Sequence, residues 1–257
     1  MEKKKIFVGI FFDYQLFRQK AKKKHRGKVW KSVDKSTNVV SLQPELARKW
    51  QSETSRKPFL MPNLYIISGC NGAGKTTASL TVLPETLQCH EFVNCDEIAK
   101  GLSPLNPDGA KVAAGRLMLS RIKKLISEKA DFAIETTLAA KSYHSLIKKA
   151  REEGYKASLV YFWLQSPELA IQRVAERVKH GGHHVDSGII RRRYRAGIKN
   201  LFNLYCPVVD YFLFIDNSVM PSEVIAEGNI KSIKFYNEEK FKKIRQYDNS
   251  NSECQEE

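Results

Sequence analysis

The sequence predicts an α/β fold: a mainly parallel five-stranded sheet with helices on both faces and an arginine-rich helical lid. Three observations carry this. Apolar runs of strand length alternate with amphipathic runs of helix length from residue 63 to residue 216, the pattern of parallel strands joined by crossover helices. A complete G-x-x-x-x-G-K-T motif follows the first apolar run. Six arginines fall between Arg173 and Arg195, on either side of a Gly-Gly break.

Leu64 to Ile67 reads as a buried strand, followed by the Gly-rich loop and a helix from Gly74 to Leu83. Glu91 to Cys95 is the second strand. Asp108 to Lys129 is a long helix, with Val112, Leu117, Leu119, Ile122, Leu125 and Ile126 as its apolar positions. Asp131 to Glu135 is the third strand, and Lys141 to Glu153 a helix stopped by Gly154. Leu159 to Leu164 is apolar on both faces, as a central parallel strand is. Ser166-Pro167-Glu168 starts a helix: an N-cap serine, a first-turn proline and an acid at the positive helix end. That helix runs to Lys179. After Gly181-Gly182 the chain restarts at Asp186 or Ser187 as a helix to Leu204, and Tyr211 to Asp216 is the fifth strand.

The flanks differ from this core. Residues 1–60 carry 16 Lys/Arg against 5 Asp/Glu, whereas residues 61–257 carry 27 against 23. The net charge of +15 is therefore mostly a property of an N-terminal appendage. Within it Ile6 to Phe12 reads as a strand, Gln15 to Lys24 as a basic helix and Pro44 to Gln51 as a short helix. Such an arm is a solvated or partner-binding segment, with nucleic acid or acidic lipid as the alternative partner. The division is 1–60 appendage, 61–235 catalytic domain, and 236–257 a C-terminal helix with a polar, disordered tail from Asp248. Met1 to Phe12 imitates a secretory leader, but its apolar run is short, Asp13 ends it and no small-residue cleavage site follows. No run reaches the roughly 18–20 apolar residues of a membrane span. The five cysteines form no C-x-x-C pair, which argues against a disulfide framework or zinc site and for a reducing, cytoplasmic setting.

The loop Gly69-Cys-Asn71-Gly72-Ala73-Gly74-Lys75-Thr76, with Thr77 behind it, carries the chemistry. Its glycines let backbone N–H groups converge into an anion nest at a helix start. Lys75 reaches the β/γ-phosphates of a nucleotide and Thr76 offers its hydroxyl to Mg²⁺. The preceding strand and following helix are the context the motif requires, so the match is a true P-loop, and the residues around it decide which kind of P-loop enzyme it serves. No Asn-Lys-x-Asp base-reading motif of GTPases is present, and no long strand ending in Asp-Glu as in motor ATPases. Instead the second strand ends in Asn94-Cys95-Asp96-Glu97 and the third in Glu135-Thr136-Thr137. Ligands of open α/β sheets sit at the carboxyl ends of strands, which places Asp96 and Glu135 on the rim that holds the loop. A carboxylate there accepts the proton of an acceptor hydroxyl or holds Mg²⁺. The bland alternatives are a helix N-cap for Asp96 and a surface charge for Glu135. The arginines supply positive charge for a migrating phosphoryl group on two short helices joined by glycines, the build of a mobile lid. For any single arginine, a solvated helix face is the competing reading. His183-His184 with Asp186 is a weaker metal-ligand reading.

On these residues the chain resembles the zeta toxin family of P-loop kinases, in its short Gly-Gly-His form. The resemblance rests on Ile67 to Thr77, Phe92 to Ala99, Gly101 to Pro104, Ala133 to Thr137, and Arg177 through Gly181-Gly182-His183 to Arg191-Arg192-Arg193-Tyr194; it covers about residues 62–220. It implies an ATP- and Mg²⁺-dependent kinase acting on a hydroxyl of a small molecule. UDP-N-acetylglucosamine is the acceptor of characterised members, and a small antitoxin occludes their nucleotide site. It implies Asp96 as general base, Glu135 as a substrate contact, and Arg177 with a second arginine from Arg191 to Arg193 over the transferred phosphoryl; of these Arg193 is taken for the phosphoryl, and Arg192 with Thr136 for the substrate side. The Gly-Gly-His lid and compact core differ from those of the larger toxins, in which a long C-terminal extension helps bind the nucleotide sugar. The competing readings are a nucleic-acid end kinase gripping through residues 1–60, and a nucleotide-binding module without catalysis.

Overall fold

The computed structural model describes residues 61–249. The segments Ile6 to Phe12, Gln15 to Lys24 and Pro44 to Gln51, and the tail beyond residue 249, lie outside the described residues. The strands are β1 (Asn63–Gly69), β2 (Glu91–Val93), β3 (Phe132–Thr136), β4 (Lys156–Trp163), β5 (Tyr211–Asp216), β6 (Glu223–Asn229) and β7 (Ser232–Phe235). The α-helices are α1 (Lys75–Glu85), α2 (Cys95–Leu102), α3 (Lys111–Ser127), α4 (Ser142–Glu152), α5 (Pro167–Lys179), α6 (Ser187–Asn200) and α7 (Glu238–Asn249).

One sheet runs β2-β3-β1-β4-β5-β6-β7. The five expected strands are its parallel part. The expectation of five strands is corrected to seven, because β6 and β7 add an antiparallel extension to β5. Two sequence features build that hairpin. The Asn229 side chain accepts from the Lys231 and Ser232 N–H groups, and Gly228 passes close to the Ser232 carbonyl, where a Cβ would sit 2.1 Å from the oxygen. Behind the hairpin α7 packs onto the common core: Phe241 and Ile244 are buried, and Phe241 stacks 5.7 Å from Phe214 of β5.

The long helix α3 forms as expected, but its buried stripe is Ala114, Met118, Ile122, Leu125 and Ile126. Val112, Leu117 and Leu119 are exposed, against the expected face. Steps of four and three from Ala114 make a continuous stripe, and the larger residues named first fall beside it. Helix α2 entered the sequence reading only as a helix that Asp96 could cap; the cap is Asn94 instead, whose side chain accepts from the N–H groups of Asp96 and Glu97. Ser166 caps α5 and Asp186 caps α6, as their sequences predict. Gly197 lets α6 lie against the end of β3, where a Cβ would meet the Thr137 carbonyl oxygen at 2.5 Å, and Asn200 donates to the Leu138 and Ala139 carbonyls. The second lid helix is thus anchored on the Glu-Thr-Thr segment.

Candidate active site

The loop after β1 takes its shape from backbone that side chains would forbid. Gly69 has φ 139°, and a Cβ there would sit 2.3 Å from the Phe162 carbonyl oxygen of β4. Gly74 has φ 83°, and a Cβ there would meet the Asn217 amide at 2.7 Å. Both substitutions would force the loop off the sheet.

The pairing of β1 with β3 sets Ile67 opposite Glu135 and Ser68 opposite Thr136. Glu135 is therefore carried to the side of the loop. Its Oε2 accepts from Thr76 Oγ1 at 2.8 Å and from Asn94 Nδ2 at 2.9 Å. Its Oε1 lies 3.7 Å from Lys75 Nζ, with the two side chains only 7% and 12% exposed. Lys75 also donates to the Cys70 carbonyl at 2.9 Å. These contacts make Glu135 a member of the loop's own network rather than a surface charge. Burial pushes the Cys70 thiol up to about 11, with Lys75 partly offsetting it.

The opposite side of the loop is braced by a residue the sequence reading missed. Asn217, 3% exposed, follows β5 and donates from Nδ2 to the Ala73 carbonyl at 2.7 Å, while Ser222 donates to its Oδ1. Asn94 was likewise overlooked as a partner of Glu135. The signal was present for both: each is a polar residue directly after the carboxyl end of a parallel strand.

Asp96 lies in the first turn of α2 and is exposed. The capping role belongs to Asn94, so Asp96 is not the N-cap, and its carboxylate has no hydrogen bond from another described residue. It lines a pocket with Ala99, Lys100, Pro107, Lys111 and His183. Tyr143, at the start of α4, is part of the same surroundings: burial first, then the charges of Cys95 and Asp96, push its phenol up to about 12.

The lid arginines divide. Arg193 Nη1 lies 3.4 Å from Asn71 Oδ1 of the loop. Arg173 packs beside Gly72 and donates to the Ser218 carbonyl at 3.0 Å. Arg177 is exposed and donates to the His183 carbonyl at 2.6 Å. Arg191 pairs with Glu168 on the surface, and Arg192 is exposed. Of the remaining candidates, Asn71, Ala73 and Lys75 are buried in the loop, and Thr77 is exposed on α1. Thr136 is buried, and its Oγ1 accepts from the Leu138 N–H at 3.0 Å, serving the turn after β3. His183 faces Asp108, with Nε2 3.4 Å from Oδ1. No cluster of three metal-ligating side chains exists among the described residues, nor does any helix there have the length and apolarity to cross a membrane.

The family profile described as Zeta toxin matches residues 47–204, starting before the region the motifs mark. A Haemophilus influenzae protein described as uncharacterized is 31% identical over 140 residues, 54% of this chain and 98% of that protein. A chain of the AvrRxo1-ORF1:AvrRxo1-ORF2 complex with sulphate ions superposes with TM-score 0.61 at 16% identity, covering 77% of this chain and 66% of that one. A chain of the same complex solved with ATP gives TM-score 0.59 at 18% identity, covering 77% and 66%. A chain of the Streptococcus pneumoniae PezAT toxin-antitoxin system gives TM-score 0.50 at 17% identity, covering 80% of this chain and 93% of that one. At such identities the structural matches speak for the fold, and the profile, spanning more than half of the chain, speaks for the family. The chain belongs to the zeta toxin family and is a P-loop phosphotransferase with kinase-type architecture.

Proposed function

We propose that the chain is an ATP- and Mg²⁺-dependent kinase that phosphorylates a hydroxyl of a small molecule, with UDP-N-acetylglucosamine as the leading acceptor. The observation that carries this reading is the network in which Glu135 holds both Thr76 and Lys75 of the loop. A module that merely held nucleotide would need the loop but not a carboxylate fixed between its lysine and its hydroxyl.

The donors fit magnesium: a hydroxyl and a carboxylate oxygen 2.8 Å apart beside a phosphate cradle are the hard, sparse protein ligands this ion takes when phosphates and water complete its shell. Thr76 and Glu135 would hold it, and bound there it would neutralise phosphate charge. The loop N–H groups and Lys75 bind the nucleotide phosphates. Asp96, free of the capping role and open to a pocket, takes the proton from the acceptor hydroxyl. Arg193, already against the loop, and Arg177 stabilise charge on the transferred phosphoryl, with Arg192 turning inward only on closure. The fold likeness to a complex solved with ATP supports the choice of nucleotide. The likeness to a toxin-antitoxin system supports an antitoxin as a protein partner.

The test is mass spectrometry of nucleotide sugars and other hydroxyl metabolites after incubation with ATP and Mg²⁺. A phosphorylated UDP-N-acetylglucosamine is the expected product. A phosphorylated product of another small molecule would keep the kinase and replace the acceptor. No product from any hydroxyl, with ATP bound, would overturn the reading in favour of a non-catalytic module.

A further inference from the structure

The wall of the Asp96 pocket is built almost wholly from α2, α3 and the loop between them; the lid contributes His183. That residue is placed with care. Gly181 has φ 79°, and the Gly182 N–H donates to the Arg177 carbonyl at 3.0 Å. A Cβ on Gly182 would fall 2.4 Å from Arg177 Cγ, so only glycine lets the turn fold back onto the end of α5. The Arg177 guanidinium then clamps the His183 carbonyl. With its backbone held from both sides, the imidazole crosses to Asp108, Nε2 to Oδ1 at 3.4 Å, and is itself only 18% exposed. Asp108 is prepared to receive it. Its pair with Lys111, and then the charges of Lys111, His183 and His184, hold its carboxyl below the usual carboxylate range.

We infer that His183 and Asp108 form a clasp that closes the lid across the Asp96 pocket and sets its shape for the acceptor. His183 is then a positioning residue, neither a metal ligand nor a chemical participant. This rests on the proposal that the Asp96 pocket receives the acceptor. The clasp has a second consequence. The Arg177 side chain holds the backbone of the residue whose imidazole reaches Asp108, so filling the acceptor pocket and placing Arg177 are mechanically linked. Asp108 is 62% exposed, and half-exposed ion pairs are weak. A weak clasp suits a lid that must open each turnover; breaking it shifts the open–closed ratio by about two- to fivefold.

The test uses the full chain with His183→Ala, Asp108→Asn, the double variant, and His183→Gln, which retains an N–H donor. Hydrogen–deuterium exchange is read for residues 103–110 and 180–186, where the Ala110 and Gly182 amides are hydrogen-bonded. The clasp predicts that each single variant speeds exchange about two- to fivefold in the other segment. It further predicts that the double variant adds nothing beyond either single one, and that His183→Gln recovers part of the protection. Exchange that changes only around the mutated residue would overturn the clasp, whatever the enzyme's acceptor. With UDP-N-acetylglucosamine as the probe, the same variants should raise its KM about two- to fivefold and leave the KM for ATP unchanged. Equal changes in both KM values, or additive effects in the double variant, would also overturn it. Absence of transfer to this probe by the unaltered chain counts against the proposed acceptor alone, since the exchange measurement still decides the clasp.

Discussion

The rim around the P-loop and the lid above it are built by opposite means. On the rim, Lys75, Asn94 and Asn217 are buried and Glu135 nearly so; Lys75 and Asn217 donate to loop carbonyls, and Glu135 accepts from Thr76 and from Asn94. On the lid, Arg177, Arg191 and Arg192 are exposed; Arg177 contacts a carbonyl and Arg191 a surface carboxylate. A buried polar group must keep its partner, because losing it costs the full desolvation of what is left. An exposed arginine can change partners at little cost. The nucleotide half is thus preorganised, while the exposed lid arginines can exchange partners around what enters.

Substitutions that empty the rim should therefore damage folding as well as activity, whereas substitutions of the exposed lid arginines should leave folding intact. Glu135→Ala leaves Lys75, Thr76 and Asn94 without their shared acceptor and should cost about 3 kcal/mol of stability, read from urea denaturation; a wild-type midpoint would break the contrast. Asn217→Ala strands the Ala73 carbonyl and should cost about 1–3 kcal/mol and raise the KM for ATP, so a change in neither quantity would remove Asn217 from the rim. The Cys70 thiol sharpens the comparison through pH. Its folded value of about 11 lies above the ordinary 9.0, so its contribution is intact below pH 9 and is lost as pH rises toward 11. Between pH 8 and pH 10 the loss should be about 1 kcal/mol, and Cys70→Ala should abolish that part of the slope. At the small end, Arg191→Ala should leave the urea midpoint unmoved.

The parallel core and the loop were legible because their signals are local: an apolar run, a glycine pattern, a capping serine. What escaped was set by packing partners. Nothing within Lys111 to Ser127 says that Ala114 rather than Val112 meets the core; the packing of that helix decides. Asn94 and Asn217 looked like loop residues because their importance lies in register, Ile67 against Glu135 and the end of β5 beside the loop. The hairpin of β6 and β7 was readable in Gly228-Asn229, yet β6 is only partly apolar and β7 has just four residues. Asp96 and Glu135 were singled out together from strand ends. The structure separates them, one tied into the phosphate network and the other open to a pocket, and the proposed division of labour follows.

That division is tested most directly by Asp96→Ala, assayed for phosphoryl transfer to UDP-N-acetylglucosamine and for ATP binding on the same preparation. The account predicts that transfer falls by about 10²- to 10⁴-fold while ATP affinity stays within about twofold, because no rim contact involves this side chain. Near-normal transfer by the variant would contradict it.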